Sequence, residues 1–286
     1  MRPANLVTAV ADVLAGLSLA VLAGNASPLA TGQPVWFLVG STVGLYGGGV
    51  VLNDVFDAQL DAVERPERPI PSGRVTLSQA SALGVGLLVL GIALALFYSP
   101  ATGGIAALIA GLAVFYDRFG KHVAWFGPVN MGLCRGVNLL LGVGASGTSA
   151  VLALWWLALV PVVYIAAITM ISRGEVHGSS RKTLYIAAGL YLLVSSAQLI
   201  VANHAQALLL TVGFVFLHLF LIGKPLIEAI QNPVGPNIGR AVKSGVLSLI
   251  VMDAAWVSIS GNWPLALGTL LLLPFSVWLA KAFAVT

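Results

Sequence analysis

The sequence predicts an all-α, polytopic membrane protein, a transmembrane bundle of nine or ten helices. Three observations carry that prediction. The 286 residues are 58% hydrophobic and only 8% charged, against roughly 25% charged residues in ordinary soluble domains. Apolar runs approaching the roughly 20 residues that a helix needs to cross a bilayer recur along the whole chain. The charged residues also fall in alternate loops, as expected of a multi-pass protein. A soluble globular protein is excluded. A membrane β-barrel is a poor alternative, because its short strands alternate apolar and polar residues. LGVGLLVLGIALALF is instead apolar on every face.

The first apolar segment, 5–24, carries Asn5, Thr8 and Asp12 on one helical face. Asp12 is unsuited to a cleavable signal peptide, so an uncleaved first helix is expected although LAGNAS faintly resembles a cleavage site. Segment 35–52 runs straight into the most acidic stretch of the chain. Segment 78–98 starts at TLSQ, where Thr76 and Gln79 have the form of a capping box. After 102–116 comes 123–145, on which Asn130, Cys134, Arg135 and Asn138 fall within an arc of about 140° at helical spacing. Segments 150–171, 184–202, 205–222, 244–260 and 264–283 complete the count. A merger near the C-terminus would reduce ten spans to nine.

The loops check this division. Those after the even-numbered segments hold Arg65, Arg68, Arg74, Arg118, Lys121, Arg173, Arg181, Lys182, Lys224, Arg240 and Lys243; those after the odd-numbered segments hold no Lys, Arg, Asp or Glu. Arg2 and Lys281 put both ends on the charged side, which the positive-inside rule makes cytoplasmic. The formal charge of +4 is thereby read as topology and not as nucleic-acid binding. The single cysteine, Cys134, permits no internal disulfide and no cysteine metal cluster. No linker divides the chain, so 1–286 is read as one membrane domain in the cytoplasmic membrane.

Half of the ten acidic residues sit in NDVFDAQLDAVERPERPIPSGR, residues 53–74: Asp54, Asp57, Asp61, Glu64 and Glu67. The three aspartates are spaced i, i+3 and i+7, and on a continuing helix they point within about 60° of one another. They follow an apolar span, at the helix end where the macrodipole is already negative. Three carboxylates on that face call for positive charge. Arg65 and Arg68 supply part of it, and a divalent cation supplies more, since Mg²⁺ is typically held by one or two carboxylates together with substrate phosphates. RPIPSG forms a stiff turn that brings Arg68 back towards the membrane surface.

NDVFDAQLD matches N-D-x-x-D-x-x-x-D and, with RPIPSGRVT after it, resembles the first aspartate-rich loop of UbiA-type intramembrane prenyltransferases. The resemblance extends along the chain: acidic motif after span 2, basic loop after span 4, polar loop after span 6. It implies a helical bundle around a central cavity and Mg²⁺-dependent transfer of an isoprenyl group from an allylic isoprenyl diphosphate to a small or lipid-like acceptor in the membrane. By resemblance, Asn53, Asp54, Asp57 and Asp61 hold Mg²⁺ and diphosphate, and Arg68 adds charge. In YDRFGKHVAW, Lys121 would contact diphosphate and Tyr116 would face the developing cation. The second loop, MISRGEVHGSSRKTL, departs from the family pattern of two spaced aspartates. It offers Glu175 as a metal ligand, His177 beside it, and Arg181 and Lys182 for diphosphate, and so resembles the divergent EboC-like subfamily.

Ionisable residues within spans are functional candidates by default. Here they are Asp12, Arg135 and Asp253. Asn5, Asp12, Asn130, Arg135 and His177 are candidates for lining the cavity and orienting the acceptor; the competing reading pairs Arg135 with Asp12 or Asp253 for packing. His204 and His218 are read as structural. Trp36, Trp125, Trp155, Trp156 and Trp263 lie near span ends, as an interfacial belt requires. A CDP-alcohol phosphatidyltransferase is disfavoured because D-G-x-x-A-R is absent. An isoprenoid transporter on the same scaffold is the non-enzymatic alternative, although transporters place their sites at the midplane.

Overall fold

A computed structural model describes residues 3–24, 28, 32–123, 126–175 and 178–282. Among these residues every regular element is helical. In chain order they are α1 (Pro3–Leu19), α2 (Trp36–Phe56), α3 (Ala58–Glu64), α4 (Leu77–Tyr98), α5 (Pro100–Arg118), α6 (Phe126–Val143), α7 (Thr148–Leu154), α8 (Leu159–Ser172), α9 (Arg181–His204), α10 (Leu208–Gln231), α11 (Gly235–Ile259), α12 (Trp263–Leu270) and α13 (Leu272–Ala282). α7 with α8 makes one span, and α12 with α13 another. Nine segments among the described residues are long and apolar enough to cross a membrane. α6 provides a further 18 residues of helix. Asn130, Arg135 and Asn138 make it less apolar than the rest, which places the total within the expected nine or ten.

Local chemistry explains where the helices start and break. Thr76 and Gln79 form the reciprocal capping box at the start of α4. Pro161 has no N–H for the carbonyl of Leu157, and a short 3-10 turn, Trp155–Ala158, separates α7 from α8 there. Pro274 likewise cannot donate to Leu270, the last residue of α12. Pro225 lies inside α10 and frees the Leu221 carbonyl, which accepts a hydrogen bond from Ser244 Oγ of α11 at 2.7 Å. α11 begins well before the predicted segment 244–260, so its first turns carry Arg240 and Lys243.

α6 is the central strut. On one side it packs on α1, with Gly16 and Gly142 facing each other: a Cβ built on Gly16 would lie 2.0 Å from Leu139 O. On the other side it packs against α8 and the preceding 3-10 turn. With no water to expel between spans, such close backbone approach through small residues is what holds membrane helices together. α1 and α11 are the most enclosed of the apolar spans. α4 instead turns Leu83, Val89, Leu90 and Phe97 outward, as lipid contact allows. Trp36, Trp155 and Trp263 are exposed near span ends. Trp256 is fully buried in α11, and Trp125 lies outside the described residues.

Candidate active site

The acidic motif straddles a helix break that preserves register. α2 ends at Phe56, and Asp57 (φ −90°, ψ 1°) joins it to α3. Helical hydrogen bonding continues across the junction, from Asp57 N to Asn53 O at 3.0 Å and from Asp61 N to Asp57 O at 2.8 Å. The aspartates therefore keep the common face that their spacing predicts. The following turn folds back through Ser72 N to Arg68 O at 3.0 Å, with Gly73 at φ 74°, a conformation suited to glycine.

That turn delivers Arg68 onto two carboxylates at once. Its Nη1 donates to Asp61 Oδ2 at 2.7 Å and to Asp54 Oδ1 at 3.3 Å. From the other side, Lys121 Nζ lies 2.5 Å from Asp57 Oδ1. Lys121 is placed by the 3-10 turn Gly120–His122, which rests on the start of α6. A Cβ on Gly120 would meet Asn130 Nδ2 at 2.5 Å, so a side chain there would displace the Asn130 amide. Each rim aspartate thus already has a basic partner. Among the described residues no three His, Cys, Asp or Glu side chains converge as a preformed metal cluster.

Beneath this rim lies a cavity of about 350 Å³. Asn53, Asp54, Tyr116 and Asp117 line its mouth, apolar side chains including Leu45, Ile109, Ile165 and Leu249 its middle, and Thr42, Asn138 and Arg135 its floor. Along α2, Thr42 and Asp54 are separated by roughly 18 Å at 1.5 Å per residue. The floor is tightly bonded. Thr42 Oγ1 donates to Asn138 Oδ1 at 2.7 Å, while Asn138 Nδ2 donates to Ala9 O at 2.8 Å and Asp12 Oδ2 at 3.0 Å. Arg135 Nη1 is 3.1 Å from Asp12 Oδ2, but no guanidinium N–H is directed along a hydrogen bond. The contact is a charge pair, and Asp253 is also fully buried.

The structure thus gathers Asn53, Asp54, Asp57, Asp61, Arg68, Tyr116 and Lys121 at one mouth, and Asn5 and Arg135 also line the cavity. Asp12 and Asn130 are fully buried but not among its lining residues. Asp12 instead supports Arg135 and Asn138, and Asn130 packs beneath the Lys121 turn. Arg181, Lys182 and Glu175 are exposed and outside the lining; Arg181 donates to Gln231 O at 3.2 Å. His177 lies outside the described residues.

One residue escaped sequence reasoning. Asp117, in the last turn of α5, is only 4% exposed and lines the mouth. Its Oδ1 accepts from Asn53 Nδ2 at 2.8 Å. The available signal was its place directly after Tyr116, which orients it at the same helix end.

A profile of the UbiA prenyltransferase family matches residues 10–229. The chain belongs to the UbiA prenyltransferase family. Over 238 residues it is 31% identical to the digeranylgeranylglyceryl phosphate synthase of Ignicoccus hospitalis, covering 78% of this chain and 76% of that one. Over 174 residues it is 35% identical to the enzyme of the same name from Methanoregula boonei, covering 60% of this chain and 56% of the relative. Two solved structures share the fold. A UbiA homolog from Aeropyrum pernix K1 superposes with a TM-score of 0.67 at 15% identity, covering 89% of this chain and 98% of that chain. A structure described as giving insights into digeranylgeranylglyceryl phosphate synthase in membranes superposes at 0.64 and 20% identity, covering 90% and 94%. This UbiA-family protein is an integral, multi-pass membrane prenyltransferase.

Proposed function

We propose that this UbiA-family enzyme takes an isoprenyl group from an allylic isoprenyl diphosphate, with Mg²⁺ as cofactor, and transfers it to a lipid-like acceptor in the cavity. The observation that carries the reading is the mouth itself. Asp54, Asp57 and Asp61 are held with Arg68 and Lys121 directly above an apolar chamber. The donor set fits the ion: carboxylate oxygens from one helix end, with room for phosphate oxygens to complete the shell. One or two of Asp54, Asp57 and Asp61 would hold it together with the donor's phosphate oxygens, and Mg²⁺ there would supply charge neutralisation to the departing diphosphate. Glu175 lies off the cavity and makes a weaker claim.

The protein's own groups do the rest. Arg68 and Lys121 turn from the aspartates to the diphosphate oxygens and stabilise the charge that grows as the carbon–oxygen bond breaks. Asn53 positions the head group. Tyr116 presents its ring to the allylic carbon, where positive charge develops. The apolar walls keep water from that carbon until the acceptor attacks. The charge distribution of the loops supports a cytoplasmic mouth in the cytoplasmic membrane. The relatives' shared name, digeranylgeranylglyceryl phosphate synthase, supports an acceptor of the glyceryl phosphate lipid class. The whole chain acts as one membrane domain in this reading.

Purified protein titrated with a labelled isoprenyl diphosphate tests the proposal. Binding should require Mg²⁺ and be lost in Asp54→Ala and Asp57→Ala, and membrane extract should yield a prenylated lipid. Tight binding without Mg²⁺, retained in both variants, would overturn it and favour a carrier.

A further inference from the structure

With the diphosphate donor bound, the mouth would hold more negative charge than one divalent ion balances. Its carboxylates are Asp54, Asp57, Asp61 and Asp117, and its two ion-paired cations are Arg68 and Lys121. Two negative charges remain. An isoprenyl diphosphate brings roughly three more at neutral pH. One divalent cation would leave about three uncompensated charges above a hydrocarbon-walled chamber, where charge is poorly tolerated. Two would leave about one.

Among the described residues, the loop after α8 brings no acidic side chain to the cavity. Glu175 is exposed and does not line the cavity, and Arg173, Arg181 and Lys182 of the same loop are exposed as well. Asp117 does line it. Asp117 is more than nine-tenths buried, and only its Oδ1 is bonded, to Asn53 Nδ2. Among the described residues no hydrogen bond or ion pair engages its Oδ2, and Asp117 lines the cavity. With Nδ2 engaged by Asp117, the Asn53 amide keeps its Oδ1 as an acceptor. Two carboxylates and one amide oxygen, on two helices tied by a hydrogen bond, therefore face the same mouth.

The geometry points to Asp117, with Asp54 and Asn53, as the ligand set for a second divalent cation, in place of the two spaced aspartates that the loop after α8 lacks. The inference rests on the proposed diphosphate chemistry. Mg²⁺ is commonly held by one or two carboxylates plus substrate phosphates, so this set suffices once the donor is bound.

The test counts metal, independently of turnover. Mn²⁺ replaces Mg²⁺, and electron paramagnetic resonance measures bound Mn²⁺ per protein with a non-reacting thiolo analogue of the isoprenyl diphosphate. Wild-type protein should bind two Mn²⁺ with the analogue. Asp117→Asn should bind one, because the amide keeps an acceptor for Asn53 Nδ2 but loses the charge. Asp117→Glu should recover the second ion at least in part. Two ions in Asp117→Asn, or a second ion lost from Glu175→Gln and kept in Asp117→Asn, would overturn the assignment while leaving the proposed function intact. A single ion in wild-type protein would also overturn it. Analogue binding to wild-type protein with no Mn²⁺ at all would instead refute the proposed function itself.

Discussion

Arg68→Gln should tighten divalent-cation binding to the donor-free enzyme while weakening donor binding. Arg68 Nη1 sits 2.7 Å from Asp61 and 3.3 Å from Asp54, where an incoming ion must compete for the same oxygens. A displaced guanidinium, tethered by its short turn, stays within about 6 Å of that ion. A unit charge repels a divalent ion at this distance by about 1.4 kcal/mol in water and about 5.5 kcal/mol at an effective dielectric of 20. The side chains of Arg68, Asp54 and Asp61 are 20%, 34% and 6% exposed, so the value in water sets the lower bound of the effect. The expected gain is at least about tenfold in affinity. Mn²⁺ titration by electron paramagnetic resonance, without diphosphate and at fixed ionic strength, measures it. Higher salt should narrow the gap. In the same protein the donor analogue should bind at least tenfold more weakly, since one charge-assisted contact to phosphate is gone. Unchanged or weaker Mn²⁺ binding in a variant with wild-type thermal stability would refute the reasoning that Arg68 and the metal compete for these carboxylates.

Two stability predictions follow from the packing. Gly16→Ala should cost about 3 kcal/mol or more, because its Cβ would lie 2.0 Å from the Leu139 carbonyl and backbone must move. Gly189→Ala, whose Cβ would meet nothing within 4 Å, should leave thermal unfolding in detergent nearly unchanged. Arg135→Met should cost about 3–5 kcal/mol, because buried Asp12 and Asp253 lose their nearby cation. Adding Asp12→Asn should restore part of it, read as the return of a monodisperse, cooperatively unfolding protein; no recovery would show that the charge pair is not the cause.

Much of the site was legible because periodicity survives the fold. The spacing of Asp54, Asp57 and Asp61 implied a shared face, and α2 and α3 retain it because hydrogen bonding continues through Asp57. Thr76 and Gln79 announced their cap through a local pattern alone. Asp117 was not legible. In YDRFGKHVAW it is flanked by Tyr116 and Arg118, and nothing in that local pattern marks it for burial. Its burial depends on α2 lying alongside the end of α5, so that Asn53 reaches it from 64 positions away. Asp12 and Asn130 illustrate a related blindness. Helical spacing identifies which residues share a face, but it does not tell whether that face meets a cavity or another helix.

The sequence by itself determined the membrane class, the span pattern, the side that carries charge and the helix end where the carboxylates gather. These follow from hydrophobic length, loop charge and turn chemistry, which act locally and leave regular traces. Only the tertiary structure decided which cations meet which carboxylates, that Asp117 faces the mouth while Glu175 does not, and that Thr42, Asn138 and Arg135 floor the chamber. Those contacts depend on how rigid helices rotate and lean on one another through the glycine-lined α1–α6 contact. No single segment encodes a relationship of that kind.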